Sequence, residues 1–428
     1  MLIYLILFIS TFFSIYHLIC SLKFKDRKIL HQVSRKGIAI LVPCYNEAPI
    51  LKYTIEGLLN VEYDNLEVIF INDGSKDDTF QVLHEQLDLD LWENDSIVPL
   101  SDKVLGIYKS NKYPYMYVVD KYNSGKASSL NIGISYVQKE LIITMDGDCV
   151  LEKNALINMN TIFDDEDVIA AGGVVHIMQM FKLDNKFTHV VLMQVLDYIK
   201  GFYFYKASLA YNDALSIISG AFGAFKKNVL LDVGGFRTGL GEDIDITLRF
   251  HEYAKTHNKK VVFSRNAICY TECPESLSEL IQQRVRWQKG FVDAILNNSS
   301  FLLNNVFKNN VCFFIIIDAL LSNSFATAVF IVNIILILMK VTYGYSIYMF
   351  AYFLNTIIFN IICSIVAIKL ANRSLPTIKM HTLFSMIVYD MMFFQFLRIF
   401  FFLIGTVTYY FDNKHWYKVH RTYNSYKV

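Results

Sequence analysis

The chain has 428 residues and a net charge of +1, so it offers no whole-chain case for binding nucleic acid. Its hydrophobic residues make up 54% of the composition, above the roughly 45–50% of soluble proteins, and the excess is concentrated at the two ends. The seven cysteines include no CxxC pair, which disfavours a disulfide framework or a thiolate metal site.

The first apolar stretch, residues 1–22, carries no charged side chain. As a helix it is long enough to cross about 30 Å of hydrocarbon. A cleaved signal peptide is the alternative, but the stretch has neither a basic start nor a small-residue cleavage site. We therefore expect a retained membrane anchor followed by a cytosolic domain, because the basic residues at 23–28 favour the cytoplasmic side.

Short β-rich runs alternate with helical segments after this anchor. The predicted strands are 37–43, 66–72, 115–120 and 141–146, and the predicted helices between them are 48–60, 77–87 and 126–137. Near-continuous apolar strands separated by helices predict an α/β fold with a mostly parallel sheet. In such sheets the ligand binds at the carboxyl ends of the strands, so the polar residues there are the first candidates for a site.

Acidic residues end two of these strands. In "INDGSKDDT" a tight turn with helix-capping residues explains Ser75 and Asp77, but it leaves Asp73 at the strand end, where we favour ligand binding. In "MDGDCV" the carboxylates of Asp146 and Asp148 would repel each other unless a divalent cation or a hydrogen-bond donor lies between them. Mg²⁺ and Mn²⁺ prefer such oxygen ligands, whereas a solvated turn is the alternative.

Two further charged groups lie at predicted helix starts. Lys126 follows Gly125, and a helix N-terminus beside a lysine is a potential anion site. Later, Glu242, Asp243 and Asp245 cluster at the start of another helix. Acids there complement the helix dipole, and in a dry site one of them could equally be a general base. This stretch alone leaves both interpretations open.

The stretch "IQQRVRWQKG", residues 281–290, precedes the C-terminal apolar region. In a helix Gln283 and Trp287 share one face, and Arg286 can reach the same face. Together they offer an amide, a guanidinium suited to a diphosphate and an aromatic plate suited to a sugar ring. The alternative is a basic membrane-flanking helix whose arginines and tryptophan extend into lipid headgroups.

The C-terminal region, residues 311–411, is expected to lie in or on a membrane. Two spans are predicted, at 311–339 and 346–369. The stretch 385–411 spans or lies in the interface, and we favour the interface because its polar residues share one helical face. These residues are Asp390, Gln395 and Arg398. The basic tail, 412–428, then lies on the cytosolic side.

Taken in order, the motifs resemble those of processive family 2 glycosyltransferases of the GT-A fold, which include bacterial poly-N-acetylglucosamine, cellulose and hyaluronan synthases. The motifs are "ND-G", "SGK", "DGD", "GED" and "QQRVRW", and the resemblance covers residues 37–300. The approach "CPESLSELIQQRVRWQKG" is most similar to the poly-N-acetylglucosamine synthase group. The resemblance implies a cytosolic nucleotide-sugar-binding domain in a multi-pass plasma-membrane protein, with transmembrane helices at both ends.

On the donor side the resemblance implies four roles. Asp73 would bind the uracil or ribose of a UDP-sugar, and Lys126 would assist donor binding. Asp146 would hold the donor, while Asp148 would ligate Mg²⁺ or Mn²⁺ on the diphosphate.

On the acceptor side Asp243 would be the general base, with residues 219–221 nearby. The residues implied to bind the diphosphate and the growing glycan are Gln283, Arg286 and Trp287. Where the family often has Thr-Glu-Asp, this chain has Gly241 before the two acids, so the role of Gly241 is open.

These roles imply inverting transfer from a UDP-sugar, either UDP-N-acetylglucosamine or UDP-glucose, to a growing β-linked polysaccharide. The alternative is a non-processive enzyme that adds one sugar to a lipid or another acceptor. A transporter with a nucleotide-binding domain is disfavoured by the few spans and the missing Walker A motif, and a scaffold with a dead site by the intact acids. The implied partners are the donor, the glycan and the lipid membrane, with no nucleic acid. An accessory membrane subunit would fit the small number of spans.

Overall fold

The computed structural model describes residues 2–26, 35–92, 104–181, 187–322, 324, 327, 346–372, 374–376 and 378–411. Within them ten strands form one sheet, namely β1 (Ile38–Cys44), β2 (Leu66–Asp73), β3 (Leu89–Leu91), β4 (Val104–Ser110), β5 (Met116–Lys121), β6 (Leu141–Met145), β7 (Cys149–Leu151), β8 (Val168–Ile177), β9 (Phe222–Lys226) and β10 (Lys260–Thr271). Their order across the sheet is β3-β4-β5-β2-β1-β6-β9-β8-β10-β7.

The four strands predicted from the sequence are confirmed as β1, β2, β5 and β6. They are neighbours and run parallel, with β1 between β2 and β6 and with β5 beside β2. Their side chains are buried on both faces, as in Phe70 and Ile143, which is why they appear as continuous apolar runs. Truncating Phe70 to Ala would cost about 3–5 kcal/mol.

The prediction of a mostly parallel sheet is wrong, because the sheet is mixed. In the described part of the chain four strand pairings are parallel and five are antiparallel. β9 causes the largest departure, since it runs antiparallel to both β6 and β8 and joins the two parallel groups.

Helices cover the sheet and extend beyond it. They are α1 (Leu2–Lys23), α2 (Ala48–Leu59), α3 (Thr79–Leu87), α4 (Lys126–Tyr136), α5 (Ala155–Ile162), α6 (His189–Ile199), α7 (Ala207–Tyr211), α8 (Lys227–Asp232), α9 (Glu242–His257), α10 (Leu277–Asn297), α11 (Ser299–Asn304), α12 (Asn310–Phe313), α13 (Ser346–Ala371), α14 (Met380–Tyr389) and α15 (Gln395–Tyr409). Three π-helical segments, Lys200–Lys206, Phe314–Ser322 and Asp390–Phe394, continue α6, α12 and α14. The helices predicted between the four predicted strands are confirmed as α2, α3 and α4.

One helix of the described residues is long and apolar enough to cross a membrane, judged by length and composition. It is Met380–Tyr409, which joins α14 and α15 through the π-helical turn. The apolar helices Asn310–Ser322 and Thr356–Ala371 are shorter. The predicted anchor forms α1, the predicted span at 311–339 is described only to residue 322 and at 324 and 327, and the tail 412–428 lies outside the described residues.

The polar face of this long helix points into the protein. Asp390 accepts hydrogen bonds from Lys200 Nζ at 2.8 Å and from Asn360 Nδ2 at 3.0 Å. Gln395 donates to the same carboxylate at 3.0 Å, and Arg398 pairs with Asp197. Asp390 is thus satisfied largely from other helices, whereas the side chain of Arg398 is 40% exposed. The interfacial placement of this helix stays a prediction.

Candidate active site

The carboxylate of Asp73 ends β2 and holds the loop that leads into α4. It is 4% exposed and accepts hydrogen bonds from the backbone N–H groups of Ser124 and Gly125, each at 2.9 Å. The ammonium of Lys121 pairs with it from β5. Gly125 has a positive φ of 88°, which allows the chain to turn directly into the helix. Asp73 therefore orders the "SGK" loop, and its predicted contact with the nucleotide stays a prediction.

Lys126 joins three of the sequence motifs at one ammonium group. Its Nζ lies 2.7 Å from Asp146 Oδ1 and 3.2 Å from Glu242 Oε1. The segment 219–221 is adjacent, since a Cβ on Gly220 would lie 2.7 Å from the same Nζ. Burial lowers the pKa of Lys126, but the neighbouring carboxylates outweigh it and hold the pKa above its ordinary value. Lys126 thus stays charged as the counterion of an acidic cluster.

Asp146 and Asp148 converge across the tight turn between β6 and β7. The backbone N–H of Cys149 donates to the Asp146 carbonyl at 3.1 Å, and the ligand atoms of the three residues lie within 4.8 Å of one another. Asp148 is 4% exposed and accepts a hydrogen bond from Thr271 at 3.4 Å. Two carboxylates at this spacing fit a hard divalent cation such as Mg²⁺ or Mn²⁺.

The third member of this group, Cys149, is a poor ligand for such a cation. Contact with the thiol of Cys269, together with burial, holds the pKa of Cys149 well above its ordinary value. The sulfur therefore remains a neutral thiol, and hard cations prefer oxygen. The residues that could hold Mg²⁺ or Mn²⁺ here are therefore the two aspartates.

Asp243, at the start of α9, is the acid best placed to accept a proton. Burial and the charge of Glu242 raise its pKa to about 6, although Lys126 and Lys206 oppose that rise. A carboxylate with a pKa near the working pH is suited to general base catalysis. Asp245, in contrast, is buried against Arg249 Nε at 2.9 Å. The structure thus separates the three acids of this stretch into one candidate base, one partner of Lys126 and one structural acid.

Lys206 is a site residue that the sequence did not reveal. It ends the π-helical segment after α6, and its Nζ lies 4.2 Å above the ring of Phe202. Burial lowers the pKa of Lys206 to about 8, while Asp243 opposes that change. No motif surrounds it, so its position beside Asp243 follows only from the fold.

Gly241 has a steric role that the sequence left open. A Cβ at this position would overlap the carbonyl oxygen of Gly290 on α10, and a Cβ on Gly290 would lie 2.6 Å from the carbonyl oxygen of Leu240. The two glycines therefore let the start of α9 contact the backbone of α10. This contact brings the "GED" and "QQRVRW" motifs together.

α10 carries the "QQRVRW" motif and begins with a capping box. Ser276 Oγ accepts a hydrogen bond from the N–H of Glu279 at 3.3 Å and donates to that side chain at 3.0 Å. Gln283 is 7% exposed, and its Oε1 has no hydrogen-bond partner within the described ranges. An unpaired buried acceptor costs about 1–3 kcal/mol, and the predicted binding role of Gln283 would supply the missing donor. Arg286 is half-buried.

Trp287 offers an open aromatic surface one turn beyond Gln283. It is 41% exposed, and its ring centroid lies 6.4 Å from that of Tyr198. The guanidinium of Arg284 lies 4.3 Å above the indole and pairs with Asp197 at 2.9 Å. Sequence reasoning missed Asp197 and Tyr198, which α6 supplies without a motif.

α10 also contacts the candidate membrane helix through residues that follow the motif. Gln288 Nε2 donates to Thr406 Oγ1 at 3.1 Å, and Tyr409 donates to Asp293 at 2.8 Å. Both contacts join α10 to the helix Met380–Tyr409. The motif helix therefore lies between the candidate site and the candidate membrane helix.

Comparisons with known proteins agree with these motifs. Residues 39–234 match the family model for glycosyl transferase family 2, and residues 141–412 match that for glycosyl transferase family group 2. Poly-beta-1,6-N-acetyl-D-glucosamine synthases of Staphylococcus epidermidis and of Staphylococcus aureus strain COL are 28% and 27% identical over 305 and 304 residues. These matches cover 68% of this chain and 66% of each relative. The chain thus spans just under two thirds of the length of these curated relatives.

A solved structure shares the fold. The mannosyltransferase PcManGT from Pyrobaculum calidifontis, in complex with GDP-Man and Mn²⁺, superposes with a TM-score of 0.53 at 14% identity. The match covers 95% of this chain and 99% of that one. At this identity the likeness establishes the GT-A arrangement of sheet and helices.

Proposed function

Because this chain belongs to glycosyl transferase family 2 and is a glycosyltransferase, we propose that it extends a β-linked polysaccharide from a UDP-sugar at the plasma membrane. The observation that carries the proposal is the meeting of three motifs at Lys126, which binds Asp146 and Glu242 beside the candidate base Asp243. In this proposal the donor site and the acceptor base would both lie beside the Lys126 ammonium group.

On the donor side, Asp146 and Asp148 would hold Mg²⁺ or Mn²⁺ on the diphosphate, with Lys126 close by. The bound cation would neutralise the charge that develops as UDP leaves. The Mn²⁺ and GDP-Man in the solved mannosyltransferase support this use of the strand-end acids. Asp73 would contact the uracil or ribose from the loop that it orders.

On the acceptor side, Asp243 would remove the proton of a sugar hydroxyl as that oxygen attacks C1 of the donor. A single displacement inverts the anomeric centre and gives a β-linkage from an α-linked donor. The pKa of about 6 leaves Asp243 ionised at neutral pH while keeping it basic enough to accept the proton. Arg286 would stabilise the diphosphate as it departs.

On the product side, Gln283 and Trp287 would bind the growing glycan. Gln283 offers an unpaired acceptor and Trp287 an exposed ring, and sugar rings stack on such surfaces. The helix Met380–Tyr409 packs along the same α10, so product would leave the site beside a membrane helix. The basic residues at 23–28 favour a cytosolic catalytic domain in a multi-pass protein.

The first test is incorporation of radiolabel by membranes that contain the full chain. UDP-N-acetylglucosamine is the first donor to supply, since the curated relatives are poly-N-acetylglucosamine synthases, and UDP-glucose is the second. With Mg²⁺ or Mn²⁺ we expect high-mass product that EDTA abolishes. A single added sugar would favour the non-processive alternative, and no transfer from either donor would contradict the proposal.

Trp287→Ala tests the product side. We expect shorter product at an unchanged rate of donor hydrolysis, because the ring contacts glycan and not the donor. Trp92→Ala is the matched control, since Trp92 packs on Tyr117 at 5.1 Å away from the motifs. Equal loss of elongation and hydrolysis in Trp287→Ala would argue against a product platform.

A further inference from the structure

One carboxylate joins three helices next to the exposed tryptophan. Asp197, near the end of α6, pairs with Arg284 Nη1 on α10 at 2.9 Å through its Oδ2. Its Oδ1 pairs with Arg398 on the helix Met380–Tyr409. A single acid between two arginines leaves a net positive charge, so its removal would leave two guanidinium groups unopposed.

The pair with Asp197 sets the orientation of Arg284. The guanidinium lies 4.3 Å above the Trp287 ring and 5.6 Å above the Tyr198 ring. It is 12% exposed, whereas Trp287 is 41% exposed. The buried arginine thus supports an aromatic surface that remains open.

Two hydrogen-bond donors of Arg284 are not used by its pair with Asp197. Its Nε and Nη2 are buried and have no hydrogen-bond partner in the part of the chain that the structure describes. The Oε1 of Gln283, one residue earlier, is in the same condition. Unpaired buried donors and acceptors are costly, and the hydroxyl and acetamido groups of a sugar would satisfy both kinds.

We propose that Asp197 is a positioning residue for the glycan: it holds Arg284 against Trp287 with two donors left for sugar oxygens, and it ties this platform to the membrane helix through Arg398. The inference rests on the proposed function, because it assigns a glycan to the platform. It predicts that Asp197 affects binding and elongation of glycan and leaves donor chemistry unchanged.

A second pair in the chain offers a matched control. Asp26 pairs with Arg265 Nε at 2.9 Å, and that guanidinium lies 4.9 Å from the Phe24 ring. The side chains of this pair are 19% and 13% exposed, against 15% and 12% for Asp197 and Arg284. Asp26→Asn therefore removes an equivalent ion pair on an aromatic ring away from the site.

The test uses the full chain with Trp92→Phe and Trp416→Phe, which leaves Trp287 as the only tryptophan. Binding of a β-1,6-linked N-acetylglucosamine pentasaccharide is followed by Trp287 emission, and product length and donor hydrolysis are measured in parallel. In Asp197→Asn we expect binding weaker by about tenfold, shorter product and hydrolysis within about twofold of the parent. Asp26→Asn should match the parent in all three measurements.

Two results would overturn the inference. One is Asp197→Asn with parental pentasaccharide binding and product length. The other is equal loss of hydrolysis and binding, which would make Asp197 part of the scaffold only. Should Asp197→Asn fail to fold, Arg284→Lys keeps the charge but loses the planar group, and parental elongation in that variant would also contradict the inference.

Failure of the proposed function gives a different pattern. It would appear as no polymer from the parent chain with either donor. Trp287 emission then still decides the positioning role, because Asp197→Asn should shift it and Asp26→Asn should not. An unshifted spectrum in Asp197→Asn would contradict that role whatever the activity.

Discussion

The ends of β2 and β6 look alike in sequence and differ in structure. Both strands are buried, and an acid followed by a glycine stands at the end of each: Asp73 is the last residue of β2, and Asp146 directly follows β6. Asp73 is enclosed by donors from its own chain, including Lys121 and two backbone N–H groups. Asp146 and Asp148 instead converge on each other beside Lys126. An acid at a strand end therefore offers a cation a pair of ligands only where a second carboxylate faces it.

The start of α9 repeats this contrast within one helix. Asp243 lies in the acidic cluster, and burial beside Glu242 raises its pKa. Asp245, two residues on, is satisfied by Arg249 and by Asn298 Nδ2 at 2.8 Å. We call an acid open when it lies among other carboxylates in the candidate site, and closed when donors of the protein satisfy its carboxylate. Open acids should control activity, and closed acids should control stability.

Asp243→Asn should give the largest effect and the clearest case of an open acid. The amide cannot accept the proton of the acceptor hydroxyl, so we expect the transfer rate to fall by about 10²–10⁴-fold with unchanged UDP binding. The melting temperature should hold or rise, because the variant removes a carboxylate whose ionisation burial opposes. Asp245→Asn is the control, and it should instead lower the melting temperature. Lost UDP binding in Asp243→Asn would count against a base role.

Asp148→Ala tests the metal side of the comparison. We expect a loss of about 10²-fold or more, since a cation on the leaving group contributes several kcal/mol. The residual activity should no longer respond to added Mg²⁺ or Mn²⁺. Asp120→Asn is the control, because that acid is closed by Asn72 Nδ2 at 2.7 Å, and it should retain the metal response. A normal metal titration in Asp148→Ala would contradict the assignment.

Asp73→Asn should behave as the loss of a closed acid. It removes the carboxylate that pairs with the fully buried ammonium of Lys121, and breaking a buried pair costs about 3–5 kcal/mol of unfolding free energy. Replacing both residues, as Asp73→Asn with Lys121→Met, should recover part of that loss in a urea melt. An Asp73→Asn variant with the parental free energy of unfolding would instead make Asp73 an open acid and break the comparison.

Local pattern predicted much of the fold, and distant contacts account for what was missed. β1, β2, β5 and β6 were predictable because each is a continuous apolar run. β8 was missed because its Ala-Ala-Gly-Gly centre has low strand propensity. β9 was not predicted as a strand either, and its antiparallel direction depends on a long helical connection after β8. The motif acids were predicted, but Lys121, Asp197 and Lys206 belong to no motif. Lys121 closes Asp73, Lys206 lies beside the open Asp243, and Asp197 pairs with two arginines.

Gly241→Thr tests how closely the open acids depend on the contact between α9 and α10. The new side chain would overlap the Gly290 carbonyl, and overpacking costs about 1–3 kcal/mol. We expect a lower melting temperature and reduced transfer, because α9 must move together with Asp243. Gly201→Thr is the control, since a Cβ there meets nothing within 4 Å. Full activity in Gly241→Thr would show that the helix contact does not position the base.

Glu242→Gln should give the smallest and most diagnostic change, a shift in pH dependence. Asp243 must be ionised to act as a base, so transfer should fall as the pH drops through about 6. Glu242 is the second cause of that raised pKa, after burial. Glu242→Gln removes one negative charge beside Asp243, so the low-pH fall in transfer rate should move to lower pH. It should stay above the range of a free aspartate, because the burial of Asp243 remains. Glu252→Gln, at an exposed position of the same helix, should leave that fall in place. If Glu242→Gln leaves the low-pH fall in transfer rate where it is, Asp243 is not the group whose ionisation limits transfer.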